Sequence, residues 1–216
     1  MPCGRCCPRL AILSEDELQS ILARIEPIKI GALFYRTVPF KYHNSVESVA
    51  GALEHGGRFN PPLHLARTLC NLENGFGLLY TATNPLTCLF ECGHVLRGGL
   101  REGEFQSIPV EPTVLVSFKV EAENALDLRN PAIQELLRIE NAELCSLDYR
   151  SVLNPRGTLT QLQTIGAALY KNDRFGGILT ASRFGDIIPS FCFDFLPNQV
   201  RCELQDQTGV LKASQH

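Results

Sequence analysis

The chain has 216 residues, 44% hydrophobic and 20% charged, with 20 Lys+Arg against 23 Asp+Glu for a formal net charge of −3. That supplies one sizeable core and excludes intrinsic disorder, and the slight acidity excludes a protein built to coat nucleic acid. No apolar run reaches the length of a membrane span, and Met1–Pro8 lacks the hydrophobic stretch of a secretory signal, so the cytoplasm is the expected compartment.

Ser14-Glu15-Asp16-Glu17 is a capping box, a hydroxyl followed three residues on by a carboxylate. Leu18, Ile21, Leu22 and Ile25 then mark one face of a helix that ends before Pro27. Residues 1–27 therefore read as a tail with a packing helix, and residues 28–216 as a single main domain. Ala32–Val38 is expected to be its first strand. A helix is expected from about Ser45, with Val46, Val49, Ala50 and Leu53 at helical spacing, closing at Gly56-Gly57. Leu78–Thr83 reads as a buried strand. Asn84-Pro85 supplies a cap and a first helical position, opening a helix to about Leu96. Pro109–Glu121 contains an alternating strand with Val114, Val116, Phe118 and Val120 on one face. Asn130-Pro131 repeats the cap-and-proline signal ahead of Ile133, Leu136, Leu137 and Ile139. Leu159–Lys171 is another amphipathic helix. Gly177–Ser182, Ser190–Phe195 and Val200–Leu204 read as late strands. Strands and helices mix without regular βαβ alternation, so the expected class is α+β.

The 9 cysteines are an odd number in a chain that is neither short nor secreted, which excludes a disulfide scaffold. Cys3-x-x-Cys6-Cys7 begins a zinc-like spacing that no second pair completes. Cys88 and Cys92 share a helix face but make a ligand set of only two, and His94 is out of phase with them. The histidines have no ligand spacing, so no metal is expected.

Neither G-x-G-x-x-G, the P-loop nor the G-x-S-x-G elbow occurs. The chemical candidates are instead polar residues set among apolar ones. Arg36 interrupts the strand Leu33–Val38. Arg58 stands in Gly56-Gly57-Arg58-Phe59-Asn60-Pro61, where glycine lets backbone approach a ligand and arginine offers a planar fork of donors. Glu91 lies in the apolar run Leu89-Phe90-Glu91-Cys92, and Ser182 ends a strand. Each has a plainer reading: Arg36 reaching solvent from an edge, Arg58 serving a turn, Glu91 pointing outward, Tyr80 as a core aromatic. Two arginines and a glutamate brought together suit an anionic, phosphate-bearing ligand and a developing positive charge. The sequence alone leaves their convergence open.

Taken in order, several segments resemble the RES-domain family, named for its Arg, Glu and Ser groups. They are Tyr35-Arg36, Gly57-Arg58-Phe59-Asn60-Pro61, Leu79-Tyr80-Thr81-Ala82, Leu89-Phe90-Glu91, and Phe175-Gly176-Gly177-Ile178 leading to Ser182-Arg183. The resemblance spans roughly residues 32–196. One departure is a longer segment between Asn60 and Leu79, where Pro61-Pro62-Leu63 lacks the glycine that often follows the RFN element.

The resemblance implies a fold like that of ADP-ribosyltransferase toxins, with curved β-sheets and surrounding helices about a central NAD cleft. It implies a bacterial toxin that depletes NAD by cleaving the nicotinamide–ribose bond, by phosphorolysis or hydrolysis, and that a cognate antitoxin neutralises. NAD is then substrate and inorganic phosphate co-substrate, without metal. Arg36 and Arg58 are implied to hold phosphate, and Glu91 to stabilise an oxocarbenium-like ribose. Tyr35, Tyr80, Asn60 and Ser182 are implied to line the NAD site. The implied antitoxin carries a helix-turn-helix domain, so DNA contact belongs to the partner, and the complex leaves room for a homodimer of this chain. The rival readings are an ADP-ribosyltransferase that modifies a protein, an inactive NAD-binding module, and a thiol- or zinc-based regulator using the N-terminal cysteines.

Overall fold

The computed structural model describes residues 13–92, 95–97, 105–107, 111–145, 157–181, 187–191 and 200–205. Helix α1 (Glu15–Leu22) begins as its capping box dictates: the Ser14 hydroxyl accepts from the Glu17 N–H, and the Glu17 carboxylate accepts from the Ser14 N–H. Leu18, Ile21 and Leu22 are buried, against α7 (Gln161–Asn172). Polar contacts lock the two helices together. The Gln19 amide donates to the Ala168 carbonyl at 2.9 Å, and Arg174 donates to the Leu22 and Ala23 carbonyls that end α1. These α1 side chains share one large apolar cluster with Phe59, Phe76, Leu126, Ile165 and Ile178.

The longest pairing joins β1 (Ile28–Pro39) to β5 (Thr113–Asp127), antiparallel, with Phe34 opposite Phe118 and Arg36 opposite Val116. Alternation along β5 places Val116, Phe118 and Val120 on the buried face with Phe34, Val38 and Val46, forming a second, smaller cluster. Fully burying each phenylalanine there stabilises the fold by about 1.5–3 kcal/mol. The opposite edge of β5 is shared by β8 (Val200–Leu204), antiparallel, and β6 (Gly177–Ala181), parallel. β7 (Ile187–Phe191) and β2 (Leu79–Tyr80) complete a mixed six-stranded sheet. Just beyond β2, Ala82 exchanges two 2.8 Å backbone hydrogen bonds with Tyr35 of β1, so the hydrogen-bonded path returns on itself. β3 (Val95–Arg97) and β4 (Phe105–Ser107) form a separate ribbon. The architecture is α+β.

Several boundaries differ from the sequence expectation. Phe40–Ser45 is a 3-10 helix, and α2 begins only at Ala50 and runs to His55. Its N-cap, Val49, makes no side-chain cap bond, and the Ser48 hydroxyl instead accepts from the Ala50 N–H at 3.2 Å, where the helix begins. The segment after Asn60 contains an unanticipated helix, α3 (Leu63–Cys70), entered through Pro62 and stopped by Asn71 in the left-handed region. α4 (Pro85–Glu91) opens at Asn84-Pro85 as expected but ends well before Leu96, which lies in β3. α5 (Pro131–Leu136) leaves Leu136 46% exposed while Leu137 is fully buried. α6 (Asn141–Cys145) follows it.

Candidate active site

The loop Gly56–Pro61, between α2 and α3, is anchored from several sides. Asn60 is fully buried, and both ends of its amide are engaged. Its Nδ2 donates to the Ala52 carbonyl at 2.6 Å, and its Oδ1 accepts from the Tyr80 hydroxyl at 2.8 Å. The Tyr80 oxygen in turn accepts from the Phe59 N–H at 3.0 Å. From α7, Gln163 donates to the carbonyls of Gly57 (3.1 Å) and Asn60 (3.3 Å), while its Oε1 accepts from the Thr160 N–H as the capping-box partner. One side chain thus caps a helix and clamps the loop. Two close approaches require glycine. A Cβ at Gly57 would overlap the Tyr80 hydroxyl and lie 2.7 Å from the Asn60 Oδ1, and one at Gly166 would overlap the Phe59 carbonyl.

This anchorage aims Arg58. Its side chain is 6% exposed, one nitrogen donates to the Leu144 carbonyl near the end of α6 at 2.8 Å, and another meets the Glu91 carboxylate at 3.5 Å. Such a pair, largely out of water, is screened much less than a surface pair. The 3.5 Å contact is nevertheless longer than the usual 2.7–2.9 Å of a charge-assisted bond.

Glu91 owes its position to α4. The Asn84 Oδ1 accepts from the Thr87 N–H at 2.8 Å, Pro85 fills the first turn, and Thr87, Cys88 and Phe90 bury one face. Glu91 closes the helix at the border of that face, its side chain 17% exposed. The Cys88 thiol donates to the Tyr35 carbonyl at 3.4 Å, and the Thr37 hydroxyl donates to the Cys92 sulfur at 2.9 Å, which pins the helix end on β1.

Arg36 is half-buried, on the β1 face that carries Phe34 and Val38. Its guanidinium donates to the carbonyls of Val46 (2.9 Å) and Ser48 (3.0 Å). Its positive charge reaches α4, where it helps to hold the Cys92 thiol below its ordinary value. The structure therefore pairs Arg58 with Glu91 and Asn60 with Tyr80. Arg36 reaches from β1 to the stretch before α2, Tyr35 is the β1 residue bonded to Ala82, and Ser182 lies outside the described residues. Among the described residues, no group of three or more His, Cys, Asp or Glu side chains is arranged to hold a metal ion, and no helix is long and apolar enough to cross a membrane.

Sequence reasoning did not anticipate Gln163, Gly166 or the Leu144 carbonyl. Thr160-x-x-Gln163 is a capping box on the same rule as Ser14-x-x-Glu17, and a glycine inside an amphipathic helix is a signal of close packing. The Leu144 carbonyl has no sequence signal.

A basic and an acidic side chain thus meet beside a glycine-dependent loop on an α+β scaffold. The RES domain family model matches residues 30–209, and the chain belongs to that family. Comparison with curated proteins returns no match. Among solved structures, the fold is similar to the MbcT toxin in the crystal structure of the M. tuberculosis MbcT–MbcA toxin–antitoxin complex. The TM-score is 0.57 at 18% identity, covering 91% of this chain and 92% of that one.

Proposed function

We propose that this chain cleaves the nicotinamide–ribose bond of NAD, passing the ADP-ribosyl group to phosphate or water, and that it acts as a toxin held in check by an antitoxin. The observation that carries the reading is the Arg58–Glu91 pair, held in a RES-family chain by an anchored loop and the end of α4. Nicotinamide in NAD is already a cationic leaving group, so the bond breaks without a metal or a strong acid. The site must grip diphosphate and stabilise positive charge growing on the ribose. Glu91 supplies the negative charge, beside Arg58 at 3.5 Å. Arg58 and Arg36 supply donors for phosphate oxygens. Tyr35 and Ser182 complete the ligand surface. Asn60 and Tyr80 act chiefly by fixing the loop that carries Arg58, Tyr80 also bordering the nicotinamide end.

A β-sheet curved about an NAD cleft, in the manner of ADP-ribosyltransferases, fits the closed hydrogen-bond path from β1 back to Ala82. The antitoxin is proposed because the similar MbcT structure is that of a toxin–antitoxin complex and because an unrestrained NAD-depleting enzyme would harm its own cell. Its helix-turn-helix domain would carry any DNA contact.

The test is incubation of purified protein with NAD, with and without inorganic phosphate, in chelator, followed by product identification. Free nicotinamide with ADP-ribose 1″-phosphate or ADP-ribose is expected. Label transferred to protein would favour a protein-modifying transferase, and intact NAD would leave only a binding module. Expression without a partner is expected to arrest growth and lower cellular NAD. Normal growth at confirmed soluble expression would remove the toxin assignment.

A further inference from the structure

Two thiols beside Glu91 take no part in the reaction just described. Cys88 is buried, and donating to the Tyr35 carbonyl at 3.4 Å requires its proton. Cys92, one turn on and exposed, accepts from the Thr37 hydroxyl at 2.9 Å, which favours a sulfur that has lost its proton. The same hydroxyl is 3.7 Å from the Cys88 sulfur, so both sulfurs gather about one oxygen. Their electrostatics diverge accordingly. The hydrogen bond with Cys88, then that from Thr37 and the charge of Arg36, hold the Cys92 thiol low against desolvation and Glu91. The bond with Cys92 and burial push the Cys88 thiol up. An exposed low thiol next to a second thiol is the arrangement of a redox-sensing cysteine with its resolving partner.

We propose that Cys88 and Cys92 form a hydroperoxide-sensitive thiol pair, in which Cys92 is oxidised first, Cys88 resolves it to a disulfide, and closing that bond withdraws Glu91 from Arg58. The Cys92 sulfur attacks one peroxide oxygen. A sulfur–oxygen bond forms, the oxygen–oxygen bond breaks, and the departing alkoxide or hydroxide takes a proton. The Cys88 sulfur then attacks the Cys92 sulfur, its proton leaving with the hydroxyl as water. In sum, two thiols and one hydroperoxide give one disulfide, one alcohol (water, from hydrogen peroxide) and one water. Helical neighbours four apart hold their Cβ atoms about 5–6 Å from each other, whereas a disulfide needs about 3.5–4.5 Å. The last turn of α4 must therefore distort, and Glu91 is in it. Cys92 is the helix C-cap, held by its N–H to the Cys88 carbonyl at 3.1 Å, so that turn is the cheapest part of α4 to give way.

The pair's oxidation does not depend on which reaction the site performs, and its test needs no substrate. Reduced full-length protein is treated with hydrogen peroxide, quenched and mapped by peptide mass spectrometry. A Cys88–Cys92 disulfide is expected before oxidation of Cys70, whose thiol burial pushes up, or of half-buried Cys145, and dithiothreitol reverses it. Cys88→Ala is expected to trap Cys92 as a sulfenic acid captured by dimedone, and Cys92→Ser to leave Cys88 unoxidised. Hydrogen exchange at the end of α4 should quicken at least about tenfold in the disulfide form. Oxidation of Cys92 no faster than of Cys145, pairing of either thiol with another cysteine, or unchanged exchange would each overturn the proposal.

Discussion

Arg58 and Arg36 both end on backbone carbonyls, but the scaffolds beneath them differ in kind. Arg58 rises from a loop sunk in the large apolar cluster, where Asn60, Tyr80, Gln163 and two glycine contacts restrict it. Arg36 projects from β1 over the smaller cluster, onto carbonyls of the irregular stretch before α2. Val46, whose carbonyl it meets, is 4% exposed. A donor embedded in buried hydrogen bonds cannot shift without breaking several of them, so Arg58 is preorganised at no cost during binding. Arg36 rests on carbonyls of a stretch where Ser48 is exposed to water. The pair thus divides into a fixed anchor beside Glu91 and an adjustable arm, which suits a site that grips one end of a ligand while another group is transferred.

The sharpest way to break this contrast is to disturb the anchor from behind. Gly166→Ala drives a methyl group into the Phe59 carbonyl, and because that atom is backbone, neighbouring rotamers cannot absorb the overlap. A loss of about 3 kcal/mol or more is expected in urea denaturation. Gly31→Ala in β1, where a methyl meets nothing within 4 Å, is the matched control and is expected to change stability by less than about 1 kcal/mol.

Next in size is Glu91→Gln, which keeps the shape and an oxygen for Arg58 but removes the charge. NAD cleavage should fall roughly 10²–10³-fold, the usual cost of one preorganised stabiliser. Stability should fall by only about 1 kcal/mol, since one long contact is weakened. Wild-type turnover in the folded variant would take Glu91 out of the reaction and leave it a strut for Arg58.

What could be read in the sequence was what is decided within a few residues. Ser14 with Glu17, and Asn84 with Pro85, each settle a helix start by satisfying orphan N–H groups locally, and both starts were legible. So was the alternating face of β5. The ends of α2 at Gly56 and of α7 near Lys171 were legible too, but that of α4 was not, because the chain leaves it for β3, whose pairing with β4 no local pattern specifies. The same limit governs the site. Arg58 and Glu91 could be singled out as polar residues among apolar neighbours. That Arg58 is braced by the Leu144 carbonyl, and its loop by a glutamine 106 residues from Gly57, depends on the packing of α6 and α7. The family resemblance implies Asn60 as part of the ligand surface. Its full burial follows from Ala52, Phe76 and Tyr80, which surround it only once the chain is folded.

Tyr80→Phe separates anchoring from ligand contact. The substitution removes the acceptor of the Phe59 N–H and the donor to Asn60, leaving both buried, and should cost about 1–3 kcal/mol. If Tyr80 works by fixing the loop, turnover and stability fall together. Stability unchanged with a raised KM would show instead that the hydroxyl meets the substrate and is dispensable to the loop.

The smallest effect is expected at the adjustable arm. Arg36→Lys keeps the positive charge but replaces a planar fork by a point charge, so the two carbonyl bonds to Val46 and Ser48 cannot both be made with the same geometry. Because those carbonyls belong to a part-exposed loop, water can replace the lost donor, and stability should drop by no more than about 1 kcal/mol. If Arg36 grips a phosphate that is bound equally in ground and transition states, KM for NAD should rise about tenfold while kcat stays within about threefold. A fall in kcat as large as that for Glu91→Gln would place Arg36 on the developing charge instead, and the two arginines would no longer divide into anchor and arm. A stability loss above about 2 kcal/mol with KM unchanged would make Arg36 a strut for the loop before α2, leaving Arg58 and Glu91 to carry the site by themselves.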